Sequence, residues 1–236
     1  NGQRRPDAPL NVDSELRYLP QTCEELVSAV FEDLQNIYGF ETVRQCMILI
    51  ESSRNGVTPA ELADIAQLSK DMALALSDDI SHMCWCYESG MIFDCVPKDA
   101  LVLRSSYVID YIRSAYCGTK SVVDKVQRDA ALYFLRKVHA SQQDFQSREV
   151  FEVLHFMRNG SWEGSQEVLF NYMTDLHLIQ FMWKGGYKSD LLRCWHAVTV
   201  ATDKAGRDAA QVLTGKFMNM NNRMADNLAE HASDFL

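Results

Sequence analysis

The stretch from Thr22 to Leu68 constrains the fold of this chain more strongly than any other part of the sequence. Apolar residues recur at helical spacing over 23–38 and again over 41–51. They are Leu26, Val30, Phe31, Leu34 and Ile37 in the first segment, and Val43, Cys46, Met47 and Ile50 in the second. Gly39 follows the first segment, and residues 53–56 read as a turn after the second. The stretch therefore predicts two amphipathic helices before that turn.

Helix-capping residues mark two of the predicted starts. Thr22 with Glu25 three positions later predicts a capping box for the first helix. Thr58, followed by Pro59 and Glu61, predicts a short third helix that begins after the turn.

The sequence after Leu68 predicts a longer helix and then a β-hairpin. A helix is expected over about 70–88, ending at Gly90. Short apolar runs over 91–96 and 100–104 flank Pro97-Lys98-Asp99, which is typical of a hairpin. Three helices followed by a two-stranded wing is the topology of a winged-helix domain. We expect this domain over 22–117, after a linker over 1–21 that enters from an upstream segment.

The rest of the chain predicts helices with short connections. They are expected over 106–117, 121–140, 148–158, 162–173, 176–182 and 189–202, and from about 207 to the end. Connections of a few residues favour antiparallel helical hairpins, although no clean internal period is present. The fold class expected is mainly α, a winged helix followed by an α-helical hairpin array over 118–236 that leads into a repeat region.

Composition narrows the class of protein. The net charge is −9 and the pI is about 5.1, which disfavours a phosphate-binding surface. No apolar run approaches the roughly 18 residues of a membrane span, and the amino end has no hydrophobic core of a secretory signal. Seven cysteines at irregular spacings fit free thiols in a reducing compartment. These observations predict a cytoplasmic protein that binds neither nucleic acid nor membrane.

Several segments, taken in order, resemble the region that follows the nucleotide-binding core in NACHT-type signal-transduction ATPases. The first runs from Leu26 to Leu68 and includes Ser53-Arg54-Asn55-Gly56-Val57-Thr58-Pro59-Ala60-Glu61-Leu62. The others are 148–162 with its Gly-Ser-Trp turn, 169–181, 187–195 and the terminal 228–236. The likeness is to the branch that carries tetratricopeptide or WD40 repeats, typified by the nephrocystin and telomerase-associated proteins.

This resemblance implies a winged helix that packs on a nucleotide-binding core and helps to hold a closed state, while downstream repeats bind partners. It also implies a cytoplasmic or ciliary location. Two features depart from the family. No His lies near 103–107, where related ATPases often place a nucleotide-sensing His, and G-x-x-x-x-G-K-[ST] occurs nowhere in the chain. Gly118-Thr119-Lys120-Ser121 imitates only the end of that motif.

Residues with catalytic or metal-binding chemistry do not form a recognisable site. His82, Cys84, Cys86 and Cys95 are the densest group, but C-x-C is not the spacing of a zinc knuckle. On a predicted helix only His82 and Cys86 would share a face, so core cysteines are the favoured interpretation. The six histidines are scattered, and no hydrolase motif is present. We therefore expect no enzyme activity, no metal and no cofactor.

Two further groups have ordinary structural explanations. Six aromatic residues are expected to form the interhelical core rather than a ligand box; they are Trp162, Tyr172, Phe181, Trp183, Tyr187 and Trp195. Lys125, Arg128, Arg136 and Lys137 make a basic stretch whose neighbours Asp124 and Asp129 favour a charge-paired surface, with an acidic partner as the alternative.

The sequence favours a non-catalytic module that connects and regulates the domains of a NACHT-type ATPase. Its partners would be proteins or adjacent domains, and the predicted contact residues are Val57, Glu61, Leu62, Ile65, Leu68, Arg104 and Ser105. One alternative is a protein-binding scaffold that ignores nucleotide. The other is a nucleic-acid-binding winged helix, which is disfavoured because the helix over 58–68 holds Glu61 and Asp64 but no Lys or Arg.

Overall fold

The computed structural model describes residues 20–85, 97, 99–140, 147–173 and 175–205. Over these residues the chain is mainly helical, as the sequence predicts. The α-helices are α1 (Cys23–Tyr38), α2 (Phe40–Ser52), α3 (Pro59–Ile65), α4 (Lys70–Ile80), α5 (Ser106–Ala115), α6 (Lys120–Ala140), α7 (Ser147–Asn159), α8 (Ser165–Met173), α9 (Leu176–Lys184) and α10 (Lys188–Ala205). Two short strands, β1 (Cys84–Trp85) and β2 (Val102–Leu103), form an antiparallel pair. Within the described ranges, no helix combines the length and the apolar character that crossing a membrane requires.

The chain forms two compact units that do not follow the chain order strictly. Unit 1 contains residues 1–51 and 56–120, and unit 2 contains 52–55 and 121–236. The sequence places a boundary between 117 and 118, and nothing in the sequence indicates that 52–55 belongs with the second unit.

Helix α1 begins and ends where its capping residues predict. The Thr22 hydroxyl accepts a hydrogen bond from the Glu25 N–H at 3.1 Å, and Gly39 has the positive φ of 85° that favours glycine. Phe31 is buried and stacks on Tyr111 of α5, with ring centroids 4.7 Å apart. The start and the end predicted for this helix are therefore confirmed.

The predicted apolar face of α1 is wider than the face that is buried. Phe31 and Leu34 are buried, but Leu26 and Ile37 are 53% and 66% exposed. The apolar stripe that the sequence predicts is therefore buried only in part. Helical spacing identifies an apolar stripe, but the position of the packing partner decides which edge of that stripe is covered.

The sequence-based helix over 70–88 is too long. Helix α4 ends at Ile80, a 3₁₀ turn covers Ser81–Met83, and β1 follows. Asp78, Asp79 and Ser81 are weak helix formers, and the Ser81 hydroxyl donates to the Asp78 carbonyl at 2.7 Å, which competes with helix continuation.

The strand that pairs with β2 also differs from the prediction. Cys84 pairs with Leu103 and Trp85 with Val102, whereas the predicted partner strand over 91–96 lies outside the described residues. An isolated bridge adds Val57 beside Leu101: the Leu101 N–H donates to the Val57 carbonyl at 2.8 Å, and the Val57 N–H donates back at 3.2 Å.

Unit 2 is built from helices α6 to α10, whose bounds all lie within three residues of the predictions; the largest differences are at the start of α8 and at the end of α10. Its core is rich in aromatic and aliphatic side chains: Phe134, Val150, Val153, Phe156, Met157 and Leu178 are buried. Phe134 and Phe156 stack with ring centroids 6.2 Å apart. The helix predicted from about 207 onward lies outside the described residues.

Candidate functional site

Helix α7 carries a fully buried carboxylate, Glu152, whose exposed fraction is 0%. Its two oxygens accept hydrogen bonds from consecutive backbone N–H groups, from Arg54 at 3.1 Å and from Asn55 at 2.6 Å. A buried carboxylate is costly unless it is hydrogen-bonded, and charge-assisted bonds of this kind are the strong ones. Glu152 therefore binds the backbone of residues 52–55 within unit 2.

The Arg54 side chain makes a second connection to the same unit. Its two terminal nitrogens lie 3.1 and 3.4 Å from the two carboxylate oxygens of Asp190 at the start of α10. The guanidinium carbon lies 4.9 Å above the ring centroid of Phe151. A planar guanidinium can satisfy both contacts at once, which an ammonium cannot. The Arg54 side chain is 36% exposed, so solvent screens its ion pair with Asp190. The main effect of the pair is to fix the orientation of the Arg54 side chain.

His155 holds the beginning of the segment. Its Nε2 lies 2.9 Å from the Ser52 carbonyl oxygen, which can only accept, so we assign the proton to Nε2. Nδ1 then accepts from the Asn159 amide at 3.3 Å. Burial lowers the pKa of His155 by more than the hydrogen bond to the Ser52 carbonyl raises it, and the nearby Arg158 and Arg54 lower it further. The imidazole is therefore neutral at pH 7 and acts as a fixed donor.

Residues 52–55 together with Phe151, Glu152, His155 and Asp190 are called the 52–55 site. Cys194 belongs to the same unit, but burial raises the pKa of its thiol to about 11, so it is protonated at neutral pH. With His155 neutral and bonded to a carbonyl, the site has no activated nucleophile. Its chemistry is that of binding and positioning a backbone segment. Among the residues that the structure describes, no group of three or more His, Cys, Asp or Glu could hold a metal ion.

The residues that follow Asn55 belong to unit 1, where they complete the turn and begin α3. Gly56 has φ 77°, and a Cβ there would lie 2.8 Å from the Leu101 carbonyl oxygen and 2.5 Å from a Val102 methyl group. Thr58 and Glu61 form the predicted capping box: the Thr58 N–H donates to the Glu61 carboxylate at 2.9 Å, and the Glu61 N–H donates to the Thr58 hydroxyl at 3.2 Å. Glu61 is 3% exposed.

The predicted contact residues fall into two groups by burial. Val57, Glu61 and Leu62 are buried within unit 1, so substituting them tests its core rather than a surface. Ile65, Leu68 and Ser105 are half-buried and Arg104 is exposed. Their role in a contact stays a prediction.

Sequence reasoning missed Glu152, His155 and Asp190. A signal was present for Glu152, because Val150, Phe151, Val153, Leu154, Phe156 and Met157 around it are apolar and all are buried. A lone carboxylate inside such a run indicates a buried polar contact, although it cannot identify a partner about a hundred positions away in the chain.

The other chemically equipped groups are separated. His82 lies exposed in the 3₁₀ turn and Cys84 is buried on β1, so the helix assumed for this cluster is wrong, and Cys86 and Cys95 lie outside the described residues. Of the six aromatic residues assigned to the core, Tyr172 is buried and Trp183 is 56% exposed. Trp162, Phe181, Tyr187 and Trp195 are half-buried.

In the basic stretch, Lys125, Arg128 and Arg136 are exposed. Arg128 lies 3.9 Å from Asp129, and Lys137 lies 4.8 Å from the Tyr133 ring centroid. These contacts fit the ordinary account of a charge-paired helix surface.

No family model matches this chain, and neither does a curated protein or a solved structure. The likeness to NACHT-type ATPases therefore stays a prediction from sequence. What the 52–55 site does has to be argued from its own contacts.

Proposed function

We propose that this chain is a non-catalytic module that connects and regulates the domains of a NACHT-type ATPase. The proposal rests on which segments of the sequence form the 52–55 site. The segment around Arg54 and the segments around Glu152 and Asp190 are the sequence blocks that resemble this family, and they bind one another here. A resemblance that arose by chance in separate segments would have no reason to converge on a single site.

The order of elements in unit 1 supports a winged-helix domain. Helix α2 is followed by the Val57–Leu101 bridge, then by α3, α4 and the β1–β2 pair. Residues 66–69 join α3 to α4, and the Leu68 N–H donates to the Ala63 carbonyl at 2.9 Å, with Gln67 at φ 56°. A tight turn of this kind between two helices is the element that helix-turn-helix domains share.

In such a domain the second helix of the turn enters a DNA groove, which makes α4, rather than the segment 58–68, the relevant helix. Helix α4 exposes Asp71, Asp78 and Asp79 against a single Lys70. These carboxylates repel phosphates, whereas DNA readers depend on cationic contacts. The partner of this unit is therefore a protein surface rather than a nucleic acid.

Regulation then follows from a difference in contact between two states. The module stabilises whichever state of the neighbouring core it contacts more extensively, and nucleotide shifts the balance by its own preference between those states. That contact would involve half-buried Ile65 and Leu68 and exposed Arg104.

The experiment uses the complete protein that contains this chain. Sequencing its full transcript is expected to reveal G-x-x-x-x-G-K-[ST] upstream, and Ile65→Ser and Leu68→Ser are expected to accelerate release of a fluorescent ADP. Ile37→Ser, at a position 66% exposed on α1, is the matched control. A missing phosphate-binding loop, or release rates that none of these changes alters, would favour a scaffold that ignores nucleotide.

A further inference from the structure

Trp183, at the carboxyl end of α9, is 56% exposed, although a tryptophan gains more from burial than any other side chain. Its position is fixed by the turn that follows. The Tyr187 N–H donates to the Met182 carbonyl at 2.9 Å and Gly186 has φ 83°, which together form a Schellman motif. A Cβ on Gly185 would lie 2.7 Å from the Tyr187 ring. Both glycines are therefore required by the turn that presents Trp183.

Tyr187 anchors the same turn to the interior of unit 2. Its ring packs edge-on against Phe151, with centroids 4.5 Å apart, and lies 6.2 Å from the Phe181 centroid. The exposed tryptophan thus stands on a rigid base, which lowers the entropy lost when a ligand covers it.

Two lysines belong to the segment that carries this tryptophan. The Lys188 ammonium lies 4.2 Å from the Trp183 ring centroid, and Lys184, the next residue along the chain, is exposed. Leu192, one helical turn after Lys188 on α10, is 66% exposed. The carboxylate on the same helix, Asp190, is 17% exposed and lies 3.1 Å from Arg54 and 3.9 Å from Arg193. We call Trp183, Lys184, Lys188 and Leu192 the Trp183 face.

We propose that the Trp183 face binds an acidic peptide segment of a partner protein that carries a large apolar side chain. The apolar side chain would cover Trp183 and Leu192, and its flanking carboxylates would pair with Lys184 and Lys188. An aromatic anchor ringed by complementary charge is typical of the residues that dominate binding energy.

This inference does not rest on the proposed ATPase relationship, because it concerns only helices α9 and α10. The probe is a phage-displayed library of random 12-residue peptides selected against the complete 236-residue chain. The enriched peptides are then synthesised with a fluorophore, and their dissociation constants are measured by anisotropy.

We expect enriched peptides that combine Asp or Glu with Trp, Phe or Leu. Trp183→Ala and Lys188→Glu should each raise the dissociation constant about tenfold or more. The matched controls are Leu132→Ala, at a position 42% exposed on α6, and Lys125→Glu, an exposed lysine of the same helix, and both should leave it unchanged. Lys188→Glu alters only an exposed side chain, so it decides the matter alone if Trp183→Ala unfolds the chain.

Three results would overturn the proposal. They are an absence of acidic peptides among those enriched, equal affinity of those peptides for the Lys188→Glu variant, and equal loss of affinity in the two control variants. A 20-nucleotide oligo-dT that binds with dependence on Trp183 and Lys188, where the peptides do not, would assign the face to single-stranded nucleic acid instead.

Discussion

Glu61 in unit 1 and Glu152 in unit 2 are both buried, and both accept hydrogen bonds from backbone N–H groups, yet they differ in the sequence distance to their partners. Glu61 binds the N–H of Thr58, three residues away. Glu152 binds the N–H groups of Arg54 and Asn55, 98 and 97 residues away. The Glu61 site is a local capping box that the sequence predicts. The Glu152 site forms only when unit 2 has folded.

The two glutamates also differ in the number of backbone donors that they bind. Removing Glu61 leaves one of them, the Thr58 N–H, without its carboxylate, and the loss of a helix cap costs about 1 kcal/mol. Removing Glu152 leaves two backbone donors with no acceptor, and each unsatisfied buried group costs about 1–3 kcal/mol. The non-local glutamate should therefore matter more to stability than the local one.

Glu152→Ala is expected to have the largest effect, a loss of about 3 kcal/mol in the free energy of unfolding. Glu152→Gln should lose less, because the amide oxygen still accepts one of the two bonds. Urea denaturation followed by circular dichroism measures both variants. A loss below that of Glu61→Ala would contradict the comparison.

Gly56→Ala is expected to cost about 2 kcal/mol, because it combines a positive φ of 77° with a clash against the Leu101 carbonyl. Gly186→Ala is the matched control: φ is 83° at the glycine of the Schellman motif after α9, and nothing lies within 4 Å of the added Cβ, so only the backbone cost of about 1 kcal/mol applies. Thermal unfolding of the two variants separates the cost of a positive φ from the cost of the steric clash at position 56. Equal losses would show that the chain around 56 relaxes freely.

Glu61→Ala should cost about 1 kcal/mol, the ordinary cost of losing half of a capping box. Glu61→Gln should be close to wild type, because glutamine fills the same role in such boxes. The same denaturation experiment decides this. A loss as large as that of Glu152→Ala would mean that Glu61 also carries contacts beyond its own helix.

The smallest effect that we predict is a pH dependence of the free energy of unfolding, caused by His155. Its pKa is lowered in the folded state from the ordinary 6.5, so the unfolded chain binds the proton more readily. Stability should therefore fall as the pH drops below about 6.5 and level off once the lowered pKa is passed, with a slope of at most about 1.4 kcal/mol per pH unit. His155→Gln keeps a donor for the Ser52 carbonyl and should flatten this part of the profile. An unchanged slope would assign the pH dependence to another group.

The same distinction between local and non-local contacts explains what the sequence could predict. The starts of α1 and α3 and the end of α1 depend on Thr22, Thr58 and Gly39, each of which acts within a few residues of itself. The bounds of α6 to α9 follow from helical spacing in the same way.

The end of α4 at Ile80 has a local cause, the Ser81–Asp78 hydrogen bond, but the other differences involve distant partners. Leu26 and Ile37 are exposed because α5 covers only part of the apolar stripe of α1, and that geometry has no trace in the local sequence. The pairing of β1 with β2 joins segments 17 to 19 positions apart. The 52–55 site depends on Glu152 and Asp190, which the sequence places in helices without indicating what they bind.

Backbone amide exchange at Arg54 and Asn55 tests most directly whether Glu152 binds this segment, on which the proposed module depends. We predict slow exchange of both amides in the wild-type chain and exchange about a hundredfold faster in Glu152→Ala, which corresponds to about 2.7 kcal/mol, with the Glu61 amide unaffected. Equal exchange of Arg54 and Asn55 in the two proteins would contradict the account.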